Sequence, residues 1–486
     1  MKIYKKMYIK EVVCCAVAIF LTYIHVSFKE TVDLAICILS ARNNFEHRSA
    51  IRKSWLKDMH TIRSTQNKNM VAKFVVGKVA CSVHPENRID HYDCERWTPS
   101  IPDKPVLQAF SLKSASSPHM YKVAQKFYVK VMHDITLLRL GVAEFFILPF
   151  LQANASSHVD IVVYDVISNE EIAHAHIITS LNVHRVDGYL YRPIQEMHLP
   201  KGYEFEVELR LPEDATFPDH LQTLPSQRVM NWDVTDSHNE IVILKPLNED
   251  GTLMLSKHVP SLSFMFSTLD TDGLRQHLEL SSERDLAWQK KTNLETIHLQ
   301  EEQLLHQDMI MMDVTDVYRS LPEKILLCHD WFRNNYDASF ILKTDDDCFI
   351  NLENIISSLV DLDVKTLRWW GNFRIHWLVE QHGKWRELDY SNTVYPRFAC
   401  GSGNIVSKGI NEWLVKNKNM LKRFQGEDVS MGIWLSGLNI DHVQDDRWQC
   451  GMSCHRNVYS VPELTPEKVM LYWNNSKTCS NPCQNC

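Results

Sequence analysis

The sequence predicts an α/β chain: one domain of alternating strands and helices, interrupted by a β-rich inserted module and preceded by an N-terminal transmembrane helix. Three observations carry this reading. Apolar runs suited to buried strands alternate with helical spacing at both ends of the chain. Residues from about 81 to 290 instead show the two-residue alternation of strands. The first 28 residues join a lysine cluster to an apolar stretch.

Lys2, Lys5, Lys6 and Lys10 precede the stretch Val12 to Phe28, interrupted only by Thr22, Tyr23 and His25. As a helix these residues span about 25 Å, close to the hydrocarbon thickness of an endoplasmic-reticulum bilayer. Residues 1–11 then form a cytoplasmic tail and 12–28 a signal anchor, and the lysines leave everything after Phe28 in the lumen. A cleaved signal peptide is the alternative, although no small-x-small cleavage site follows the apolar core.

Val32 to Leu39 is apolar enough for a buried strand, and Phe45 to Trp55 carries helical spacing behind Asn43 and Asn44 as caps. Ala72 to Val76, ending at Gly77, makes a second strand, so residues 29–80 begin a parallel sheet. Within the module, 81–290, Val159 to Tyr164 and Tyr203 to Leu209 alternate, and the polar stretches Trp97 to Pro105 and Leu211 to Gln227 separate such strands. A helix over Ser281 to Gln307 returns the chain to the first domain, which resumes over 291–486. There Met309 to Met312 reads as a strand, Pro322 to Asn334 as a helix, and Phe340 to Lys343 as a strand. Leu352 to Val360 and Asn411 to Met420 carry helical spacing.

The 486 residues hold 52 Lys plus Arg against 60 Asp plus Glu, a net charge of −8 that excludes the basic footprint of a nucleic-acid binder. Of 13 cysteines, Cys14 and Cys15 lie in the anchor. The remaining odd number, in an oxidising lumen, leaves one thiol unpaired or paired elsewhere. Cys450, Cys454, Cys479, Cys483 and Cys486 crowd the tail and read as disulfide staples, with zinc as the alternative. Asn154-Ala155-Ser156 and Asn474-Asn475-Ser476 are N-glycosylation sequons.

Chemistry concentrates after the strand Phe340 to Lys343, where Asp345, Asp346 and Asp347 follow one another. Three adjacent acids at a strand's carboxyl end suit a hard divalent cation, the alternative being a solvated acidic turn. Arg48 and Arg52 stand four apart on a helix and suit phosphates, the alternative being two solvated surface arginines. Tyr395 to Gly403 reads as a flexible loop in which Gly401 and Gly403 let backbone approach a ligand. Glu427 and Asp428 sit at a helix N-terminus, where capping accounts for one acid and leaves the other available as a general base. Glu302, Asp308, Asp313 and Asp316 form a further acidic group, bordering a site or coating a helix.

In this order the motifs resemble glycosyltransferase family 31, the β-1,3-glycosyltransferases. The resemblance rests on R-x-x-I-R-x-S-W at Arg48 to Trp55, F-V-V-G at Phe74 to Gly77, and E-x5-D at Glu302 to Asp308. It continues through D-x-Y-x-x-L-x-x-K at Asp316 to Lys324, K-T-D-D-D at Lys343 to Asp347, Y-P-x-F-x-x-G-x-G at Tyr395 to Gly403, and E-D-V at Glu427 to Val429. It covers roughly residues 31 to 80 and 300 to 465.

The resemblance implies a GT-A (Rossmann-like) fold and inversion at the anomeric carbon. It further implies UDP-GalNAc as donor and a terminal β-GlcNAc as acceptor on glycoprotein glycans, including O-mannosyl glycans such as those of α-dystroglycan. UDP-Gal or UDP-GlcNAc as donor, or a noncatalytic glycan-binding role, are the alternatives. Residence is the Golgi or endoplasmic-reticulum membrane. Asp347, helped by Asp345, would hold Mn²⁺, with Mg²⁺ as the alternative ion. Asp428 would be the base and Glu427 its neighbour, with Lys343, Asp346, Arg48, Arg52, Gly401 and Gly403 around the donor. The sequence departs from the family at one point. Many relatives carry a metal-binding histidine before a Pro-Glu pair, and here that stretch reads Val461-Pro462-Glu463. His455, or else His442, is the replacement ligand expected. The inserted module is expected to position the acceptor or to shield the domain it interrupts.

Overall fold

The computed structural model describes residues 29–110, 122–144, 147, 158–178, 183–211, 241–247, 258–359, 366–380, 383–387 and 389–484. The expected anchor, the Asn154 sequon and Cys486 lie outside them. Among the described residues no helix is long and apolar enough to cross a membrane.

The first core is built on a seven-stranded sheet. Its strands are β1 (Glu30–Leu39), β2 (Met70–Val79), β3 (Met309–Thr315), β4 (Tyr336–Asp345), β5 (Arg368–Arg374), β6 (Phe398–Ser407) and β7 (Asp441–Gln444). They lie in the order β3-β2-β1-β4-β6-β5-β7. β3, β2, β1 and β4 are parallel, as the strand-helix-strand pattern implies, whereas β6 runs antiparallel to both β4 and β5. The stretch read as a flexible glycine loop is the start of β6, so that expectation is corrected. Its glycines fit a crowded strand rather than a turn, as the site shows below.

β1 is apolar at successive positions because both faces of the sheet are covered. Ala35, Cys37 and Leu39 pack with Ile325, Leu326 and Phe332 of helix α4 (Leu321–Asn335) and with Ile410 and Leu414 of α6 (Lys408–Asn417). Leu34, Ile36 and Ile38 face the other way. They meet Ile51 of α1 (Phe45–Lys53), Ile355 and Ile356 of α5 (Leu352–Leu359), and Val469 of α8 (Pro466–Cys479). Truncating such a residue to alanine costs about 2–5 kcal/mol. Two further helices complete the domain, α2 (Asp58–Gln66) and α7 (Glu427–Leu435).

Between β2 and β3 the chain builds a second core. Two five-stranded sheets enclose Phe127, Val129, Leu137, Leu140, Phe205, Val207 and Phe264, all nearly or fully buried. Helix α3 (Thr271–His306) then leads back to β3. It starts at Thr271 rather than Ser281, because Asp270 caps it by accepting a hydrogen bond from the Gly273 N–H at 2.7 Å.

Disulfides join Cys37 to Cys328, Cys81 to Cys94, Cys400 to Cys450 and Cys454 to Cys483. The tail cysteines are thus staples, and they reach to β6 and across the tail rather than binding zinc at their own close spacings. Cys348 keeps a free, buried thiol.

Candidate active site

A cleft of about 550 Å³ opens at the carboxyl ends of β1 and β4, lined by Ser40, Ala41 and Asn44 on one side and by Asp345, Asp346 and Asp347 at its base. In parallel sheets this is the side where ligands bind, because crossover connections diverge there and leave a crevice. The start of α7 brings Glu427 and Asp428 to the same cleft, and the connection between β5 and β6 contributes Arg374, Trp377, Glu380, Lys384 and Trp385.

The three consecutive acids have three different environments. Asp346 is buried and accepts two hydrogen bonds from the Asn44 side-chain amide, at 3.1 and 3.0 Å, so Asn44 holds the N-cap position of α1 while its side chain orients the triplet. Asp345 faces Lys343 at 2.9 Å. Burial pushes its carboxyl up to about 8: Lys343 opposes the shift, but the neighbouring Glu427 and Asp347 reinforce it. Asp347 points to the cleft, and ligand atoms of Asp345, Asp347 and Cys348 lie within 4.8 Å of one another. The Cys348 thiol donates to Asp347 Oδ1 at 3.4 Å, and burial next to Asp347 and Asp345 raises it far above the usual thiol range, so it stays protonated. The two carboxylates offer hard oxygen donors that fit Mn²⁺ or Mg²⁺.

Glu427 and Asp428 divide their work. Glu427 is buried and bound to Lys343 at 2.6 Å; burial opposes its ionisation, but the ammonium wins and holds it below the ordinary carboxylate range. Neither acid is the helix cap, a position held by Gly426. Asp428 forms no ion pair among the described residues, Lys343 acting on it only at longer range, and its Oδ1 accepts the Val429 N–H at 2.7 Å. Burial and the charge of Glu427 push Asp428 up to about 7. A carboxylate at that value, open to the cleft, is suited to take a proton near neutral pH.

Gly401 lies against this cluster: a Cβ there would stand 3.3 Å from Glu427 Oε1 and 3.4 Å from Lys343 Nζ, and its carbonyl accepts from Lys343 at 2.6 Å. Gly403 does different work. A Cβ there would meet the Trp448 ring at 2.7 Å, so this glycine serves packing instead of the donor.

Three expectations are corrected. Arg48 and Arg52 are neither solvated nor turned to the cleft. Arg48 is fully buried, and its guanidinium donates to Glu302, the Ser40 hydroxyl and the carbonyls of Ala41 and Arg42. All its nitrogens are engaged, which leaves no donor for a phosphate. Arg52 joins Glu302 at 2.5 Å and Asp308 at 2.8 Å. The E-x5-D motif therefore answers the R-x-x-I-R motif, and together they brace the Ser40–Arg42 wall. His455 is exposed, its ring against the Gln449 side chain at 3.0 Å, and no histidine among the described residues lines the cleft. His442 packs its ring on Trp369 and Phe373.

Other motif residues acquire reasons. Lys324, buried, bonds Asp316 and the Ser40 carbonyl, each at 2.8 Å. A Cβ on Gly77 would stand 2.6 Å from Asp316 Cβ, which explains the glycine of F-V-V-G. Tyr318, Trp377, Lys384 and Trp385 also line the cleft, with Lys384 Nζ 4.6 Å from the Tyr318 ring centre. The aromatic pair Trp377 and Trp385 carried no spacing signal that would have marked it in sequence.

A family model described as Galactosyltransferase matches residues 287–446, which include the acid triplet and the Glu427-Asp428 pair. The chain is 31% identical over 470 residues to the UDP-GalNAc:beta-1,3-N-acetylgalactosaminyltransferase 2 of Xenopus tropicalis, covering 95% of this chain and 93% of that one. To the protein of the same name from Danio rerio it is 33% identical over 462 residues, covering 93% and 91%. Similarity to the Beta-1,3-galactosyltransferase 6 of Mus musculus is 29% over 198 residues, covering 38% and 61%. With a cleft that gathers Asp345, Asp347, Glu427 and Asp428, and relatives aligned over nearly the whole chain, this protein belongs to the galactosyltransferase family, glycosyltransferase family 31, and is a β-1,3-glycosyltransferase acting on a nucleotide-sugar donor and a glycan acceptor.

Proposed function

We propose that the chain moves GalNAc from UDP-GalNAc to the 3-hydroxyl of a terminal β-GlcNAc, with inversion, on glycoprotein glycans including O-mannosyl glycans of the α-dystroglycan type. The donor and linkage are those in the names of relatives that align with more than nine-tenths of the chain. A mixed α/β sheet with its cleft at the carboxyl ends of parallel strands supports the GT-A reading.

The observation that carries the mechanism is the split between Glu427, clamped by Lys343, and Asp428, in no ion pair among the described residues and raised to about 7. Asp428 takes the proton of the acceptor hydroxyl. The acceptor oxygen forms its bond to the anomeric carbon as the bond from that carbon to the diphosphate breaks, and the electron pair leaves with UDP. Asp347 and Asp345 would hold Mn²⁺, or Mg²⁺, which when bound supplies positive charge against the diphosphate. Lys343 keeps Asp345 and Glu427 in fixed positions, and Asn44 does the same for Asp346. Trp377 and Trp385, each more than a third exposed at the rim, offer flat faces to the acceptor sugar.

The inserted module reaches the cleft's border. Tyr92 stacks edgewise on Tyr318 at 5.8 Å, and Arg386, next to Trp385, lies 3.9 Å over the Tyr128 ring of the module. These contacts support an acceptor-positioning role. The lysine-flanked stretch Val12 to Phe28 and the disulfides described above support a type II, lumen-facing protein of the Golgi or endoplasmic reticulum.

The test is one assay comparing UDP-GalNAc, UDP-Gal and UDP-GlcNAc on a β-GlcNAc acceptor with and without Mn²⁺. UDP-GalNAc should be used at least tenfold faster. Faster transfer from UDP-Gal or UDP-GlcNAc would overturn the donor assignment, and undiminished transfer in chelator would overturn the metal.

A further inference from the structure

The inserted module carries a second cluster of ligating side chains, remote in character from the oxygen-rich cleft. Strand Val159–Asp165 pairs antiparallel with Glu171–Ile177, with Asp160 opposite His176 and Val162 opposite His174. Ile161, Val163, Ala175 and Ile177 point into the module core. Strand side chains alternate, so His158, Asp160, His174 and His176 share the outer face. Glu171–Ile177 is the edge strand of its sheet.

On that face Asp160 is the hub. Ligand atoms of His158, Asp160 and His176 all lie within 4.8 Å of one another. His158 Nε2 is 3.6 Å from Asp160 Oδ2, and His176 Nδ1 is 2.5 Å from Asp160 Oδ1. Ligand atoms of one tetrahedral ion at about 2.0–2.1 Å stand about 3.3–3.4 Å apart, so the His158 contact suits a common ion and the His176 ring moves off Asp160 by about an ångström to join it. His174 stands beside them, with its Nε2 3.4 Å from Asp160 Oδ1 and its Nδ1 3.2 Å from Glu171 Oε1, outside the group of three.

We propose that His158, His176 and Asp160 bind one Zn²⁺ on the outer face of the module, leaving a fourth position for water. Two imidazoles and one carboxylate favour zinc, a borderline ion, whereas the oxygen donors of the cleft favour Mn²⁺ or Mg²⁺. Bound there, the ion clips the edge strand Glu171–Ile177 to the strand Val159–Asp165 and holds the hairpin without a disulfide.

The test uses the purified full chain, loaded with Mn²⁺, in a calorimetric titration with Zn²⁺ alone, repeated with Co²⁺ to read the absorption of a tetrahedral site. One equivalent should bind, with the intense visible bands of tetrahedral Co²⁺. His158→Ala/His176→Ala should weaken it at least 100-fold, whereas Asp347→Asn leaves it unchanged. Asp160→Asn, which keeps the shape of the side chain, should weaken it similarly, and unchanged transferase activity in these variants certifies their fold. Absence of binding overturns the proposal, as does zinc lost on Asp347→Asn, or weak zinc binding equal in the wild type and the histidine variants.

Discussion

The ammonium of Lys343 lies 2.6 Å from the carboxylate of Glu427, joining the end of β4 to the first turn of α7 across the base of the cleft. Both groups are buried, and Lys343 also holds Asp345. Lys343→Met should lower stability by about 3–5 kcal/mol, the cost of stranding a buried charge, as measured by chemical denaturation. Adding Glu427→Gln should recover a large part of that loss. Simple additivity of the two substitutions would show that the pair is not coupled.

Asp428→Asn should reduce kcat by about 10²–10⁴ with little change in the affinity for UDP or Mn²⁺, measured by calorimetry. A folded variant retaining most of its transfer would remove Asp428 from the role of base.

The same group sets a pH dependence. Transfer needs the ionised form, so kcat/KM should fall about tenfold per unit as pH drops below about 7. Stability runs the other way. A carboxyl raised by folding binds its proton more tightly in the native state, so its contribution is present below the unfolded value and lost as pH rises through about 7. Asp428→Asn should therefore melt a few degrees higher than the wild type at pH 8, in metal-free buffer, and no higher at pH 4. An equal shift at both would mean that burial of the charge is not the cause.

Arg52→Ala should cost about 1.5–3 kcal/mol, because it leaves Asp308 unpaired and removes one of two partners of Glu302. KM for the UDP-sugar should stay within about threefold. A tenfold rise in KM without loss of stability would return Arg52 to the phosphate.

Gly403→Ala should cost about 1–3 kcal/mol, since the new methyl meets the Trp448 ring at 2.7 Å. Denaturation curves would show it. A neutral substitution would mean that Trp448 shifts freely.

What the sequence made legible was set by local chemistry. β1 and β4 are apolar at successive positions because both sheet faces are covered, and the acids at Asp345 to Asp347 stand out by following such a run. The reading of Arg48 and Arg52 failed because their partners Glu302 and Asp308 lie across the whole inserted module, and an isolated arginine pair says nothing about distant acids. Gly401 and Gly403 suggested a loop because glycine weakens strands. The reason for them, Lys343 and Glu427 on one side and Trp448 on the other, exists only once the sheet is formed. His455 was chosen by nearness to a motif in sequence, and the chain carries it to the surface instead. Asn44 was correctly placed at the N-cap of a helix, but its side chain bonds Asp346 of another strand instead of the helix backbone, a partner that sequence does not reveal.

The order of strands has a consequence for synthesis. β2 waits for β3, and β1 waits for β4, while the ribosome makes the entire module between Val79 and Met309. At roughly 5–20 residues per second that interval lasts on the order of ten to fifty seconds. During it a two-stranded apolar ribbon stands with both edges open, exposed to strand addition by other chains. Nascent molecules of this protein are thus most open to misassembly until residue 345 has emerged, and substitutions that slow folding of the module should appear first as aggregation of β1 and β2.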